Sequence, residues 1–340
     1  VEHLLAEIWA DVLGLDRVGI HDNFFHLGGH SLQVIRVINR MRKLGIELSA
    51  REMIQKKTIF SILERSSRDW NRPSSLAVNL GPQGGASVEK TLFCIHPGGG
   101  SVQWYMPLAE RISQMYRLIG IQAAGLDKSE PPLSHMDDIA SRYWEEVRAV
   151  QGDGPYLLLG WSYGAIVAQE MARRHPEAID SLFLLEPPEL DGQVRSRLME
   201  FSTSYARAQV LWEQGQTATS NDRLAIEEEI KRIAGLEVRR EDISLDEWLP
   251  FEALGLLNEA MIRHVVRPAP ISATLFVTDE VRKAENGSSY STGGYGQYID
   301  YWNLACTQGV RVVDVPGEHI NMISQDPSLK MLVRELERIA

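Results

Sequence analysis

The chain has 340 residues, which exceeds the usual size of a single domain and makes two domains the default expectation. Its 35 basic and 46 acidic residues give a net charge of -11. This charge excludes a general nucleic-acid binder, because such a protein needs a concentrated basic face. Residues 1–70 carry 10 basic and 9 acidic side chains, so nearly all of the negative charge lies after them.

Cysteine content and hydropathy favour a reduced, soluble setting. Only Cys94 and Cys306 are present, and they lie far apart, so a disulfide framework is not expected. No apolar run approaches the roughly 18 residues that a membrane helix needs, and Val1 begins an amphipathic pattern without a targeting leader. We expect a cytoplasmic segment of a longer protein, without membrane contact. No metal-ligand cluster appears, so no metal site is predicted.

Helical patterns fill residues 1–70 and predict a small all-α domain, a helical bundle. One helix is predicted from about Ser31 to Lys43, with one side formed by Leu32, Ile35, Ile38 and Met41. Val34 and Val37 widen that apolar stripe beyond what a small core requires. We interpret the excess as a surface that faces a partner.

Ser31 lies in a glycine turn that leads into this helix, Leu27-Gly28-Gly29-His30-Ser31-Leu32. A turn of this kind displays a hydroxyl for modification by a prosthetic arm. Taken alone, an ordinary helix N-cap is the simpler explanation of the serine.

Residues 71–88 have the composition of a linker, with several Pro, Gly and Ser residues. From residue 91 onward, short apolar runs alternate with helical segments; the runs are Thr91–Ile95, Leu118–Gln122, Tyr156–Gly160, Ser181–Leu185, Thr274–Thr278 and Val310–Val315. Strands that alternate with helices predict a mostly parallel sheet with helices on both faces. Residues 89–340 are therefore predicted to form an α/β domain.

The alternation is interrupted between about residues 187 and 270 by charged, amphipathic helical sequence. An insertion of this size between two core strands commonly covers the sheet edge where loops build a site. We predict that it forms a helical lid.

Ser162 lies in Gly160-Trp161-Ser162-Tyr163-Gly164, a GxSxG frame that follows an apolar strand and opens a helical run. In this context the strand bends sharply into the helix and leaves the serine hydroxyl exposed at the top of the sheet. Ser162 is the predicted nucleophile.

A serine nucleophile requires a base, and in this arrangement the base follows the serine along the chain. Only His175, His264 and His319 do so. His175 belongs to a helix end and His264 to the inserted helices. His319 follows the predicted strand 310–315 and a Pro-Gly turn, and is therefore the predicted base.

The base in turn needs an acid that fixes its tautomer. Glu186 and Asp279 each end a predicted strand, and the residues alone leave the choice between them open. The oxyanion of an acyl transfer also needs backbone donors. The N–H of Tyr163 follows the nucleophile directly, and the N–H of Gly98, in a glycine-rich turn after the first core strand, is the second candidate.

Residues 1 to about 70 resemble a peptidyl carrier protein of nonribosomal peptide synthetases. The motifs that carry the resemblance are Val12-Leu13-Gly14-Leu15, Val18-Gly19-Ile20, Asp22-Asn23-Phe24-Phe25 and Leu27-Gly28-Gly29-His30-Ser31-Leu32. The resemblance implies that Ser31 carries a covalent 4'-phosphopantetheine arm, attached by a phosphopantetheinyl transferase.

Residues from about 89 to 340 resemble the integrated thioesterase that ends such assembly lines, an α/β-hydrolase. The motifs are His96-Pro97-Gly98-Gly99, Gly120-Ile121-Gln122, the GxSxG frame, Leu184-Leu185-Glu186 and Pro316-Gly317-Glu318-His319. That family has an Asp where this chain has Glu186. Because Glu can serve the same role, the resemblance implies a triad of Ser162, Glu186 and His319, with Asp279 as the substitute acid.

Together the two resemblances imply release of a peptidyl or acyl chain from a tethered thioester through an acyl-serine, by hydrolysis or macrocyclisation. Such release serves secondary metabolism, for example antibiotic or siderophore biosynthesis, and implies upstream condensation and adenylation domains as partners. Two alternatives remain. One is an editing hydrolase that removes stalled acyl groups. The other is a carrier fused to a catalytically inactive docking domain, if neither acid reaches the histidine.

Overall fold

The computed structural model describes residues 2–29, 31–43, 46, 48, 50–63, 75–81, 88, 90–126, 130–215, 219, 222, 225–226, 229, 251–284, 288, 291 and 293–339. The chain divides into two compact units. The first comprises residues 1–75, 125–131 and 200–255, and the second comprises residues 76–124, 132–199 and 256–340. Residues 200–255, from the predicted lid, are thus grouped with the N-terminal residues, which the predicted domain boundaries do not anticipate.

The N-terminal part of the first unit is helical. Its helices are α1 (Glu2–Leu13), α2 (Ser31–Lys43), α3 (Ala50–Lys56) and α4 (Ile59–Leu63). They enclose one apolar cluster in which Trp9 and Phe24 are fully buried. The two rings meet edge to face with centroids 4.9 Å apart, an arrangement that aromatic pairs favour.

The α2 helix contributes Val34 and Val37 to this core in addition to the expected Ile38 and Met41. Val34, Val37, Ile38 and Met41 are all buried in the cluster. Their spacing of three, four and seven residues is that of a single helix face. The interpretation of Val34 and Val37 as a partner-facing surface is therefore wrong, because both complete the core of their own unit.

The second unit is built on a seven-stranded sheet with the order β1-β3-β2-β4-β5-β6-β7. The strands are β1 (Ala77–Asn79), β2 (Thr91–Ile95), β3 (Arg117–Ile121), β4 (Tyr156–Trp161), β5 (Ile179–Leu185), β6 (Ala273–Thr278) and β7 (Val310–Val315). All neighbouring pairs are parallel except β1 and β3. The mostly parallel sheet predicted from the sequence is confirmed.

The edge strand β1 lies inside the segment predicted as a linker. Val78 pairs with Gly120 of β3, and Leu76, Val78 and Leu80 are buried. The linker prediction is therefore wrong for residues 77–79, because the Pro and Gly residues that flank this short apolar run dominated the composition of the segment.

Helices lie between the strands along the chain, and a last helix follows β7. They are α5 (Met106–Ile112), α6 (Met136–Gln151), α7 (Tyr163–Arg174), α8 (Gly192–Gly215), α9 (Phe251–Arg263), α10 (Asp279–Arg282), α11 (Tyr295–Ala305) and α12 (Ser328–Glu337). Short 3-10 turns cover Gln103–Tyr105, Pro176–Ala178 and His319–Asn321. Helices α8 and α9 fall within the predicted lid, whereas its residues 230–250 lie outside the described part of the chain.

The central strands are buried along their whole length. Every residue of β2 and of β4 is buried, as is typical of inner parallel strands covered on both faces. Cys94 of β2 and Cys306 are both fully buried free thiols. Within the described ranges, no helix combines the length and apolar character needed to cross a membrane.

Candidate active site

Ser162 stands at a sharp turn between β4 and α7. Its backbone has φ 55° and ψ -119°, a left-handed conformation that non-glycine residues adopt rarely and that recurs at functional sites. The Ser162 N–H donates to the carbonyl of Leu185 at the end of β5, 2.9 Å away. This places the serine at the carboxyl edge of the sheet, and its side chain is partly exposed.

Two glycines make this turn possible. A Cβ on Gly160 would lie 2.2 Å from the carbonyl oxygen of Gly164. A Cβ on Gly164 would lie 2.4 Å from the carbonyl oxygen of Ile95. The GxSxG spacing is therefore a packing requirement, since the helix start is pressed against the turn and against β2.

The acid and the base meet at the same edge. Oε2 of Glu186, directly after β5, lies 2.8 Å from Nδ1 of His319, which follows β7. Glu186 is fully buried and His319 is nearly so. A carboxylate can only accept, so Nδ1 carries the proton and Nε2 is left as the basic nitrogen of the neutral ring.

The backbone of Glu186 is itself unusual. Its φ is 41°, so it is one of the few non-glycine residues with positive φ in the part of the chain that the structure describes. Its N–H donates to the carbonyl of Phe276 in β6, 3.0 Å away. The acid is thus tied to the strand next to its own.

Asp279, the substitute acid, is directed elsewhere. It begins the short helix α10, and its carboxylate pairs with Arg282 and with Lys283, whose Nζ lies 3.1 Å away. Hydrogen bonds from Lys283 and Arg282 hold the pKa of Asp279 below its ordinary value of 3.8. Of the two candidates, the structure brings Glu186 to the histidine.

The two neighbours of Asp279, Thr278 and Glu280, do contact the site, although neither belongs to a recognised motif. Thr278 donates its N–H to Oε1 of Glu186 over 2.7 Å, and its hydroxyl bonds to the same oxygen. Oε2 of Glu280 accepts the N–H of His319 over 3.2 Å. Their position in the sequence could have indicated this role, because polar side chains at the carboxyl end of a parallel strand commonly lie at the site.

Trp161 links the nucleophile to the base. It directly precedes Ser162, and its ring lies 5.4 Å from that of His319, centroid to centroid. Trp104 packs edge-on against Trp161 with centroids 6.3 Å apart. Aromatic side chains therefore border the imidazole on the side of the sharp turn at Ser162, which we call the elbow.

A buried histidine holds the glycine-rich turn after β2. Nδ1 of His96 donates to the carbonyl of Pro97 over 2.7 Å, so Nε2 accepts from the hydroxyl of Tyr143 over 2.6 Å. Burial lowers the pKa of His96 to about 4, against a smaller opposing contribution from the bond to Pro97. The ring also stacks on Tyr163, with centroids 5.5 Å apart.

Gly98 and Tyr163 lie side by side as a consequence. A Cβ on Gly98 would stand 4.0 Å from Cβ of Tyr163, and Gly98 is exposed. The Tyr163 N–H is the first of helix α7 and has no acceptor within that helix. Both predicted oxyanion donors therefore border the elbow.

The remaining sequence candidates lie apart from this edge. His175 is the C-terminal cap of α7 and stacks on Trp144 with centroids 4.1 Å apart. His264 follows α9 and is buried. Neither position supports a role as the base.

Ser31 belongs to the first unit, where it begins the 13-residue helix α2. Gly28 before it is exposed with φ 94°, and a Cβ on Gly29 would lie 2.3 Å from the ring of Phe24. The turn thus requires its glycines, and the free N–H groups at a helix start favour a phosphate. This position fits a phosphodiester on residue 31, whose side chain and the whole of His30 lie outside the described part of the chain.

Comparison with known proteins gives two family matches. Residues 90–339 match the family described as Thioesterase domain, and residues 3–65 match the family described as Phosphopantetheine attachment site. The second match indicates a covalently attached 4'-phosphopantetheine.

The curated relatives are synthetases, and this chain matches only a part of each of them. The dimodular nonribosomal peptide synthase of Bacillus subtilis (strain 168) is 38% identical over 189 residues, which are 54% of this chain and 8% of that protein. The indigoidine synthase of Streptomyces lavendulae is 26% identical over 348 residues, which are 96% of this chain and 25% of that protein. The chain therefore spans a quarter or less of the length of these relatives.

Solved structures agree on the fold. A four-domain nonribosomal peptide synthetase with bound AMP and glycine covers 100% of this chain and 26% of its own, with 22% identity and a TM-score of 0.58. The type II thioesterase BorB of the borrelidin cluster covers 78% of this chain and 98% of its own, with 18% identity and a TM-score of 0.51. At these identities the likeness establishes the α/β-hydrolase fold.

The serine elbow, the buried Glu–His pair and the family match over residues 90–339 agree with one another. The chain belongs to the thioesterase domain family, as a serine thioesterase preceded by a phosphopantetheine attachment domain.

Proposed function

We propose that this chain ends a nonribosomal peptide assembly line by releasing a peptidyl or acyl chain from a thioester through an acyl-Ser162 intermediate. The observation that carries the proposal is the 2.8 Å hydrogen bond between Glu186 and His319, at the sheet edge where the Ser162 elbow lies. It supplies the oriented base that a serine hydroxyl lacks by itself.

In the first half-reaction, His319 Nε2 takes the proton of the Ser162 hydroxyl as Oγ attacks the thioester carbonyl carbon. The carbonyl oxygen then carries a negative charge, which the N–H groups of Gly98 and Tyr163 stabilise. The carbon–sulfur bond breaks, and His319 returns the proton to the departing sulfur. Glu186 stabilises the transient imidazolium through Nδ1 and keeps the ring in the correct tautomer.

In the second half-reaction, a nucleophile attacks the acyl-serine ester while His319 takes its proton. The carbon–oxygen bond to Ser162 breaks, and the proton passes to Oγ, which restores the hydroxyl. Water gives a free acid, whereas an amine or hydroxyl of the acyl chain itself gives a macrocycle. Residues of the predicted lid, such as those of α8 and α9, would set this choice by excluding water.

The 4'-phosphopantetheine arm, when bound at Ser31, supplies the thiol that holds the chain as a thioester. Ser31 is the first residue of α2 and follows the turn that contains Gly28 and Gly29, a position that fits attachment of the arm. The partners implied are a phosphopantetheinyl transferase and upstream condensation and adenylation domains.

A fluorophosphonate probe tests the activated serine. We expect labelling of the wild-type chain and none of Ser162→Ala. The control Ser181→Ala, which removes a half-buried hydroxyl of β5 that bonds to Asp180, should be labelled like the wild type. A wild-type chain that resists the probe would favour the alternative of an inactive docking domain.

Mass spectrometry of the products from a synthetic peptidyl thioester then identifies the second nucleophile. A free acid indicates hydrolysis, and a product lighter by one water indicates a macrocycle. Preferential cleavage of short acyl thioesters over peptidyl ones would favour the editing hydrolase instead.

A further inference from the structure

We propose that Thr278 is a positioning residue that aims the Glu186 carboxylate at His319 and so makes a glutamate work as the acid of this triad. The inference rests on the proposed function, because it concerns the same catalytic edge. It assigns a role to a residue that acts through Glu186.

The sheet order explains why a third residue is needed. Glu186 follows β5 and His319 follows β7, so β6 lies between the two strands that supply the pair. Thr278 is the last residue of β6 and stands in register with Val315, the last residue of β7. The carboxylate must therefore cross the end of β6, where Thr278 is placed to bind it.

Glu186 contacts β6 at two points. Its backbone N–H donates to the carbonyl of Phe276 over 3.0 Å. Its Oε1 then receives the Thr278 N–H over 2.7 Å and the Thr278 hydroxyl as well. Backbone and side chain of the acid are thus both attached to one strand, which fixes the side-chain torsions between them.

The two carboxylate oxygens of Glu186 accept hydrogen bonds from different residues. Oε1 binds the two donors of Thr278, whereas Oε2 binds Nδ1 of His319 over 2.8 Å. Because Thr278 saturates one oxygen, the carboxylate plane cannot rotate without breaking two hydrogen bonds. A glutamate has one more rotatable bond than an aspartate, and Thr278 removes that extra freedom.

Burial makes these donors necessary. Glu186 and Thr278 are both fully buried, so water does not solvate the carboxylate. A buried carboxylate stays charged only where hydrogen bonds favour the charged form. Among the described residues, Thr278 supplies two donors to the carboxylate and His319 supplies another.

The test compares Thr278→Val, which keeps the N–H but loses the hydroxyl, with Thr278→Ser, which keeps both. Thr274→Val, four positions earlier on the same strand, is the matched control because its half-buried hydroxyl accepts a hydrogen bond from Arg311. Turnover of an acyl N-acetylcysteamine thioester gives kcat and KM, and thermal unfolding reports the fold of each variant.

We expect Thr278→Val to lower kcat about tenfold, as for loss of a hydrogen bond to a charged group, with KM unchanged. Thr278→Ser should recover most of that loss, and Thr274→Val should behave as the wild type. In a Glu186→Ala background, Thr278→Val should change kcat by less than about twofold, because no carboxylate is left to position.

A merely structural role gives a different pattern. Equal losses of kcat from Thr278→Val in both backgrounds, or a serine variant as slow as the valine variant, would overturn the inference. The variant Ser162→Ala distinguishes failure of the role of Thr278 from failure of the proposed function. If that variant retains turnover, the acyl-serine reaction itself is wrong; if it is inactive while Thr278→Val is unaffected, only the role of Thr278 falls.

Discussion

Nδ1 of His319 lies 2.8 Å from Oε2 of Glu186, although 133 positions separate the two residues in the chain. They meet because β5, β6 and β7 are consecutive in the sheet and parallel, so that their carboxyl ends share one edge. The acid therefore comes from the strand next to β4, which carries the nucleophile elbow.

The identity of the acid can be tested by a pair of isosteric changes. Glu186→Gln should lower kcat by a factor on the order of 10³–10⁴, because the amide cannot stabilise the imidazolium and favours the wrong tautomer. Asp279→Asn should stay within about twofold of the wild type, since that carboxylate pairs with Arg282 and Lys283. Thioester turnover measures both, and a loss confined to Asp279→Asn would assign the acid to that residue.

The attachment site predicts a mass change. Incubation with coenzyme A, Mg²⁺ and a phosphopantetheinyl transferase should add one phosphopantetheine to the wild-type chain and none to Ser31→Ala. Ser61→Ala, in helix α4 of the same unit, should gain the same mass as the wild type. A gain that persists in Ser31→Ala would place the arm on another residue.

The tight turn predicts intolerance at Gly164. In Gly164→Ala the new Cβ would lie 2.4 Å from the carbonyl oxygen of Ile95 and 2.5 Å from that of His96, so the backbone must move. We expect a loss of about 1–3 kcal/mol in unfolding free energy, together with slower probe labelling of Ser162. Urea unfolding measures the first effect.

Gly255→Ala is the matched control for that change. A Cβ on Gly255, inside helix α9, meets nothing within 4 Å. Alanine at such a helical position should raise the unfolding free energy by about 0.5–1 kcal/mol. Equal destabilisation by the two substitutions would contradict the explanation from close packing.

Acid should destabilise the second unit through His96. Its pKa is about 4 in the folded chain, against 6.5 for an exposed ring, so between these pH values only the unfolded state binds the proton. The unfolding free energy then falls as pH decreases, by up to about 1.4 kcal/mol per pH unit for this residue. His264, whose pKa burial likewise lowers to about 4, adds in the same direction.

Urea unfolding between pH 7 and pH 4.5 measures this dependence. His96→Gln should show a shallower decrease than the wild type, because one proton-binding site of the unfolded state is gone. His135→Gln, at an exposed position, should keep the wild-type slope. An unchanged slope in His96→Gln would show that its burial does not govern acid stability.

Most of the sheet could be predicted because its inner strands are buried on both faces and read as continuous apolar runs. The six predicted strands agree with β2 to β7 within a few residues. The edge strand β1 was missed since it has three residues and pairs with β3 across a long separation in the chain. Whether β1 forms a strand depends on its pairing with β3, which the local composition does not reveal.

Some residues of the candidate site could likewise be predicted from local sequence, whereas others depend on tertiary structure. Ser162 and His319 were found from a local motif and from chain order. The choice between Glu186 and Asp279 depends on where two carboxylates point at neighbouring strand ends, which is a tertiary property. Thr278 was missed for the same reason, because the contact that gives it a role joins residues 92 positions apart.

The burial of both cysteines has a practical consequence for measuring how much of the protein is active. Cys94 and Cys306 are fully buried, and burial raises the pKa of Cys306 to about 12 and that of Cys94 still further. Native protein without the arm should therefore consume no maleimide on the timescale of alkylation, since the thiolate is the reactive form. Each equivalent of maleimide that the native protein takes up then corresponds to one prosthetic thiol that is attached and carries no acyl group. The loaded fraction can therefore be titrated without replacing either cysteine.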